Sequence, residues 1–356
     1  MLDERRNRRT LIQRIRLLCG CGTGLNAVAS NLCEALRTLL NADAGMLAWM
    51  SDDGRVHGFC QDHASSKDKR PTIARIAAML LMAEGLEIQQ FLSASGPLVG
   101  QFFDTSKRDV ILPKDIGRHL RKQLINHHIL DMRVHSPSYG VAGFLAWNAP
   151  DRPFARSHLE TLEQVQPLLA GAFTNAQPQA QWRSDSRGLP HLIVDDEGKR
   201  LLAIDHAAQE LLKKCNLLNP APARVGATPI APAFAAMMAE RLRDDDFADA
   251  YLQVVDGRLF CRAVRTNLTQ QHGGDRPSIL ITIDFQVAEN LQRIEHVMRL
   301  PLTPLQREIA LHGMEGGERR DALQRFAISE ESLKKHVRTI LAETGVTHWR
   351  DLRNLV

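Results

Sequence analysis

Residues 302–356 read LTPLQREIALHGMEGGERRDALQRFAISEESLKKHVRTILAETGVTHWRDLRNLV, and the spacing within this stretch decides the architecture of the chain. Thr303 is a good N-cap, Pro304 falls at the first helical position, and Gln306 stands where it completes a capping box. A helix therefore starts at 304, and Gly316 and Gly317 mark its end. ERRDALQRF predicts a short second helix and Ala327-Ile328-Ser329 a turn. Ser329 caps a third helix, whose first turn sets Glu330 and Glu331 against the positive end of the dipole.

The third helix carries the functional signal. At about 100° per residue, Leu333, Val337, Ile340 and Leu341 share one arc, while Lys334, Lys335 and Arg338 share another. A helix that packs on a scaffold while presenting donors to the major groove of DNA needs this division. Glu331 points toward the same arc, where it either accepts from a cytosine amine or only compensates the dipole.

Read with its neighbours, the stretch resembles the LuxR/NarL-type helix-turn-helix family, without a gap from Leu302 to about Val346. The matching positions are Leu302-Thr303-Pro304, Arg307-Glu308, Glu315-Gly316, Arg325, Ile328-Ser329-Glu330, Leu333-Lys334, His336-Val337, Ile340-Leu341 and Gly345-Val346. The resemblance implies a four-helix domain that reads DNA as a dimer, with THWRDLRNLV (347–356) supplying a dimer contact. It implies that Lys334, Lys335 and Arg338 face the groove or its phosphates, and the DNA-facing set expected here is Ser329, Glu331, Lys334, Lys335, His336 and Arg338. The chain departs from the family where Ala322-Leu323 replaces the usual Ile-Ala, where Gly317 replaces an apolar residue, and where His312 and Gly313 occupy positions usually apolar. Leu323 is expected to change the packing of the two helices.

Charge sets a condition on this reading. Over 302–356 the cations are Arg307, Arg319, Arg320, Arg325, Lys334, Lys335, Arg338, Arg350 and Arg353. The anions are Glu308, Glu315, Glu318, Asp321, Glu330, Glu331, Glu343 and Asp351, which leaves a surplus of one positive charge. Each phosphate contact adds affinity through counterion release, so a surplus this small requires two copies on one site.

Upstream, QVAENLQRIEHVM (286–298) reads as a helix with Val287, Leu291, Ile294 and Met298 stepping by four, three and four. So short a seam leaves two partners open: a second copy in a dimeric signalling helix, or the chain's own preceding sheet. Before it, GLPHLIVDDEGKRLLAID reads as strand, turn, strand. The pair Asp195-Asp196 does not open a phosphoacceptor receiver, because no helix follows it directly and RLRDDDFADA (241–250) is not an apolar strand ending in Asp. With AYLQVV, RLFCRAVRTN and SILITIDF as later strands, and 219–234 as an irregular excursion, residues 189–285 resemble a PAS domain.

The N-terminal part has the same style. Helical spacing runs through 11–40 and again through 72–92. Two hairpins are predicted, GMLAWM-SDDG-RVHGFC from 45 and HILDMRVH-SPSYG-VAGFLAWN from 128. A closing helix over 153–173 carries Pro167, where a kink or break is expected. This order resembles a GAF domain over roughly 20–175. The expected organisation is a GAF-like sensory domain with an N-terminal helix (1–175), a linker (176–188), a PAS-like domain (189–285), a connecting helix (286–300) and the helix-turn-helix domain (301–356). The fold class is multidomain α+β: two helix-flanked antiparallel-sheet sensory domains followed by an all-α four-helix domain.

Composition agrees with several packed domains. The 356 residues are 44% hydrophobic and 24% charged, with a net charge of +4. Apolar runs are too short for a bilayer, and Arg14 and Arg16 interrupt the only segment resembling a signal core, so a cytoplasmic protein is expected. Arg5, Arg6, Arg8 and Arg9 read as a frayed terminus rather than a DNA arm. The scattered Cys19, Cys21, Cys33, Cys60, Cys215 and Cys261 form neither a zinc pattern nor a disulfide framework. His119, His127, His128 and His135 do not place three ligands on one helical face. No nucleophile–base pair, phosphate-cradling loop or metal cluster emerges, so no enzyme, no cofactor and no metal are expected. The expected partners are double-stranded DNA, a second copy and an unidentified small-molecule signal. The alternative from another class is a sensor or scaffold protein whose diverged helix-turn-helix makes protein contacts only.

Overall fold

The computed structural model describes residues 2–50, 56–63, 98–100, 128–136, 140–149, 152–174, 180–185, 188–215, 217, 230–243, 245–270 and 273–356. Backbone contacts divide the chain into two units, Met1–Gln181 with Glu289–Val356, and Trp182–Ala288. The protein is mixed α+β with two antiparallel sheets.

In the first unit, α1 (Leu2–Gly20) and α2 (Ala29–Leu39) replace the single helical run expected over 11–40. Between them Gly22 and Gly24 take φ of +72° and +85°, left-handed values that a side chain resists. A short 3₁₀ turn, Asn26–Val28, leads into α2. Strands β1 (Ala44–Met50), β2 (Val56–His63), β3 (Val99–Gly100), β4 (His128–Ser136) and β5 (Gly140–Ala149) form a sheet in the order β2-β1-β5-β4-β3. The β1–β2 hairpin pairs Ala44 with His63 and Leu47 with Cys60, and shifts register at Trp49/Met50. Helix α3 (Arg156–Thr174) runs through Pro167 without ending there. Strand β4 is buried on both faces, with Leu130, Met132 and Val134 on one and Asp131 and Arg133 on the other, and α3 adds Leu162, Val165 and Leu169 to the core. The expected helix over 72–92, the SDDG turn, the tip of SPSYG, His119 and His127 lie outside the described residues.

The same unit contains α6 (Glu289–Arg299), α7 (Pro304–Met314), α8 (Arg319–Phe326), α9 (Glu330–Thr344) and a 3₁₀ segment, Trp349–Asn354. Helix α6 buries Leu291, Ile294 and Val297. Its neighbours are α1 and α7, a partner that neither sequence reading of the seam proposed. Polar contacts hold this junction. Arg14 on α1 donates to Glu295 on α6 at 3.1 Å, to Glu34 at 3.0 Å and to Asn31 at 2.9 Å. Gln13, also on α1, donates to the Pro304 carbonyl at 2.7 Å, while its own carbonyl oxygen accepts from the buried Arg307 at 3.4 Å.

The second unit has β6 (Trp182–Ser184), β7 (His191–Asp195), β8 (Leu201–Ile204), α4 (His206–Lys214), α5 (Ala233–Arg241), β9 (Phe247–Val254), β10 (Gly257–Gln270) and β11 (Gly273–Ala288). The sheet order is β8-β7-β11-β10-β9, with β6 added on β11. If β6 is set aside, both sheets place their strands in the order second, first, fifth, fourth, third. Strand β9 begins at Phe247, before the expected AYLQVV, because its pairing with β10 extends to Phe247 opposite Val264. Within the excursion expected over 219–234, Ile230 bridges to Arg200 and α5 begins at Ala233. Leu259, Cys261 and Ala263 of β10 and Ile279, Ile281 and Ile283 of β11 alternate into a core completed by Leu212, Phe234 and Met238. Among the described residues of either unit, no helix is long and apolar enough to cross a membrane.

Asp195 shows why β7 turns back into β8 instead of opening a metal site. Its carboxylate accepts from the amides of Lys199 and Arg200 at 2.7 and 3.0 Å and from the Arg200 Nε at 2.9 Å. Burial alone pushes its pKa up, but the hydrogen bonds from Arg200 and Lys199 outweigh that effect and hold it below the ordinary carboxylate value. The depressed pKa stabilises the folded state fully above the unfolded-state pKa of about 4, and this stability is lost as pH falls through the folded value. Asp195→Asn is expected to cost about 1–3 kcal/mol at neutral pH. Urea melts followed by circular dichroism should show a smaller gap between variant and wild type in acid than at pH 7.

Candidate nucleic-acid interface

The three helices after residue 300 start and stop where local chemistry dictates. Thr303 Oγ1 accepts from the Gln306 amide at 3.4 Å and Gln306 Oε1 accepts from the Thr303 amide at 2.9 Å, a closed capping box. Helix α7 ends before Gly316, which has φ of +84°. The turn between α8 and α9 is set by Ala327 in the left-handed region at φ +50°. Ser329 Oγ then accepts from the Ser332 amide at 3.2 Å to begin α9.

Helix α9 is divided as the sequence spacing implies. Leu333, Val337 and Ile340 are buried. Glu331, Lys334, Lys335 and Arg338 are exposed, within an arc of about 100°. His336 is half-buried, about 100° round the helix from Lys335 and nearer buried Ile340, and Ser329 is exposed at the N-terminal end of α9, its hydroxyl engaged as the cap. Lys334 pairs with Glu330 at 2.8 Å and Lys335 with Glu331 at 3.3 Å. The Lys334 ammonium holds Glu330 below its ordinary pKa. Pairs this exposed, one helical turn apart, add little stability, so a phosphate can displace the carboxylates at little cost.

The departures at 312, 313 and 317 form one packing solution. The His312 ring occupies the space a side chain at 317 would need, so a Cβ at Gly317 would overlap it. His312 Nε2 donates to the Glu318 carbonyl at 3.1 Å, and Nδ1 accepts from Arg325 at 3.3 Å. A Cβ at Gly313 would come within 2.7 Å of Leu352 and 3.0 Å of Trp349, so the absent side chain admits the final segment. Trp349 Nε1 donates to the Gly317 carbonyl at 2.9 Å. Ala322 is fully buried beneath this arrangement, whereas Leu323 is half-exposed.

One feature of the surface was not legible from spacing. Arg319, Arg320, Arg350 and Arg353 line a groove of about 1200 Å³ beside Gly316, Gly317 and Trp349, with Glu318 and Asp351 as its carboxylates. The Asp351 carboxylate accepts from the His348 amide at 3.1 Å, and Arg319 lies 5.9 Å from the Trp349 ring centroid. These arginines come from two segments that only the fold juxtaposes.

Elsewhere, among the described residues, no three His, Cys, Asp or Glu side chains gather as a metal site. The six cysteines are free thiols. Burial pushes Cys19, Cys215 and Cys261 up to about 12, which leaves them protonated and poorly nucleophilic.

No family model matches the chain, and no curated protein matches it. Among solved structures, the chain is similar to a phage VqmA–DPO complex at 14% identity, covering 47% of this chain and 81% of the other, with a TM-score of 0.20. It is also similar to the Escherichia coli DhaR(N)–DhaL complex at 10% identity, with 78% and 89% coverage and a TM-score of 0.23. A third is the bacteriophytochrome RpBphP3 of the photosynthetic bacterium R. palustris, at 9% identity, with 84% and 74% coverage and a TM-score of 0.32.

The coupled packing has a direct test. Gly317→Leu, which supplies the side chain the resembling family carries, is expected to cost about 1–3 kcal/mol because it meets the His312 ring. Combined with His312→Ala it should recover part of that stability. A double-mutant cycle by thermal melting would show a coupling of at least about 0.5 kcal/mol.

Proposed function

We propose that this protein is a DNA-binding transcription regulator that reads a two-fold-related site as a dimer and responds to a signal at its N-terminal domains. The observation that carries the reading is the division of α9, with a buried apolar arc beside an exposed arc bearing Lys334, Lys335 and Arg338. On this reading, α9 is the recognition helix of a LuxR-type helix-turn-helix, and the two sheet units are GAF-like and PAS-like sensory domains. Lys334, Lys335 and Arg338 face base edges and phosphates, His336 and Ser329 flank them, and Glu331 exchanges its lysine for a base amine or remains the helix-dipole partner.

The N-terminal sensor reaches the reading head through α1. Arg14 and Gln13 contact α6 and α7, and α7 packs on α9, so a displacement of α1 reaches the recognition helix through packed elements. A signal that changes the position of α1 then changes how the two reading heads are presented.

The test is selection of duplexes from a random pool by the full-length protein at two salt concentrations. The reading requires enrichment of a two-fold-related site with steep salt dependence. Changing Lys334, Lys335 and Arg338 together to Ala should weaken binding at least tenfold, with unchanged melting. The salt slope should fall by about 0.9 for each phosphate the variant no longer neutralises. Intact binding by this variant would remove the groove face from α9. A Gln13→Ala, Arg14→Ala variant should keep the sequence preference but change affinity about five-fold or more, in the range of ordinary allosteric couplings.

A second reading rests on the near-neutral charge of 302–356 and on the Glu330 and Glu331 pairs: a scaffold whose helix-turn-helix meets another protein. Partner binding insensitive to salt, with no duplex enriched, would favour it.

A further inference from the structure

The outer face of the second unit's sheet carries a continuous stack of arginines and aromatic rings. The Arg258 guanidinium lies 4.6 Å from the Trp182 ring centroid and 4.3 Å from that of Tyr251. Tyr251 packs at 5.0 Å on Phe260, and Arg262 continues the row at 5.6 Å from Phe260 and 5.8 Å from Phe247. Phe247 and Tyr251 are each 57% exposed, among the largest exposed apolar side chains of the described residues. The opposite face of the same strands carries the core residues Leu259, Cys261 and Ala263. A sheet face turned to water ordinarily alternates to polar side chains, so an aromatic face here marks a contact surface.

We propose that this face is the surface on which a second copy of the chain docks, the two sheets meeting across a two-fold axis. The proposal rests on the dimeric regulator reading above and names the contact that reading needs. Three observations favour a second copy. First, the stack is chemically self-complementary. Its order is aromatic, arginine, aromatic, aromatic, arginine, aromatic, so a reversed copy offset by one step sets each central arginine against a ring.

Second, the face is balanced in charge. Arg262 makes a two-pronged contact with Asp249 at 2.8 and 2.9 Å, and Asp284 stands on the same face, accepting from Gln286 at 2.9 Å. Two arginines against two aspartates give no cationic field, which a single-stranded nucleic acid would require despite the stacking platform.

Third, among the described residues the other candidate surfaces for self-association are less suited. The apolar face of α6 is buried against α1 and α7. The groove at Trp349 would bring Arg319, Arg320, Arg350 and Arg353 toward their own copies. The free edge of β9 is in part occupied already, since Arg241 donates to the Asp249 carbonyl at 2.9 Å.

The experiment is sedimentation equilibrium of the full-length protein, wild type and a Phe247→Glu, Tyr251→Glu variant, with circular dichroism melts of both. The proposal expects a wild-type dimer and a folded variant whose dimer dissociation constant is raised at least about thirty-fold. Hydrogen exchange of the wild type above and below its dissociation concentration serves if the variant does not fold, and protection should rise in 247–262. A monomeric wild type, a variant that dimerises equally well, or protection confined to 347–356 would overturn it. So would titration with an oligo(dT) strand that quenches Trp182 in the wild type and fails to bind the variant.

Duplex selection separates the two claims. If the sheet variant is monomeric but the wild-type dimer enriches no duplex, the surface stands and the DNA reading fails. If both proteins enrich the same two-fold site with equal affinity and equal mass, the reading stands and the surface fails.

Discussion

A unit built from two separated pieces of chain exists only if the pieces grip each other, and here the grip is α1 against α6 and α7. The chain leaves the first unit after Gln181 and returns at Glu289, whose amide donates to the Gln181 carbonyl at 3.0 Å. Apolar contact from Leu291, Ile294 and Val297 supplies the bulk of the attraction. Arg14 and Gln13 supply the direction, because a guanidinium shared by Glu295, Glu34 and Asn31 admits one register of α1 over α6. Burying Arg307 is tolerable because both terminal amino groups are met, Nη1 by Gln13 and Nη2 by the Leu300 carbonyl. The helices after residue 300 are thereby packed against α1 rather than tethered beside it.

This grip is also where reading the sequence reached its limit. The caps at Thr303 and Ser329 and the glycine that ends α7 act within four residues, so local spacing located them. The two N-terminal hairpins and the later strands of the second unit were legible as strands for the same reason. Of the seam on α6, Leu291 and Ile294 were legible, but Val287 falls in β11 and Val297 is buried in place of Met298; the partner lies some 280 residues earlier, at a separation no periodicity reports. In 11–40 the helical spacing continues across the glycines, and only the backbone cost of Gly22 and Gly24 separates one helix from two. At the candidate interface, Lys334, Lys335 and Arg338 were legible because one helix fixes their relation. The arginine groove was not, because it needs α8 and the final 3₁₀ segment to come together.

The departures from the resembling family show the same distinction. Taken one position at a time, His312, Gly313 and Gly317 look like three losses of apolar packing. In the folded chain they are one exchange: the imidazole takes the volume of the absent side chain at 317, and Gly313 admits Trp349 and Leu352. The exchange adds polar obligations that must be met inside a packed site, and they are met by the Glu318 carbonyl, Arg325 and the Gly317 carbonyl. The three helices therefore pack around polar contacts as well as apolar ones beneath the turn.

On the proposed reading of α9 as one of two DNA-reading heads, its charge has a consequence for how such a head would be controlled. Lys334 and Lys335 each have a glutamate one turn away, so approach to a polyanion exchanges one carboxylate for one phosphate instead of filling an empty cationic site. The net electrostatic gain per head is small, and affinity must come from presenting two heads at the correct separation. Under that condition a sensor need not touch the recognition arc. It is enough to move α1, because α1 bears on α7 and α6, and the spacing of the heads follows from where those helices stand. Weak heads and a strong intramolecular grip are thus complementary properties: were each head strongly cationic, binding would proceed whatever the sensor did, and the contact through Gln13 and Arg14 would have little to control.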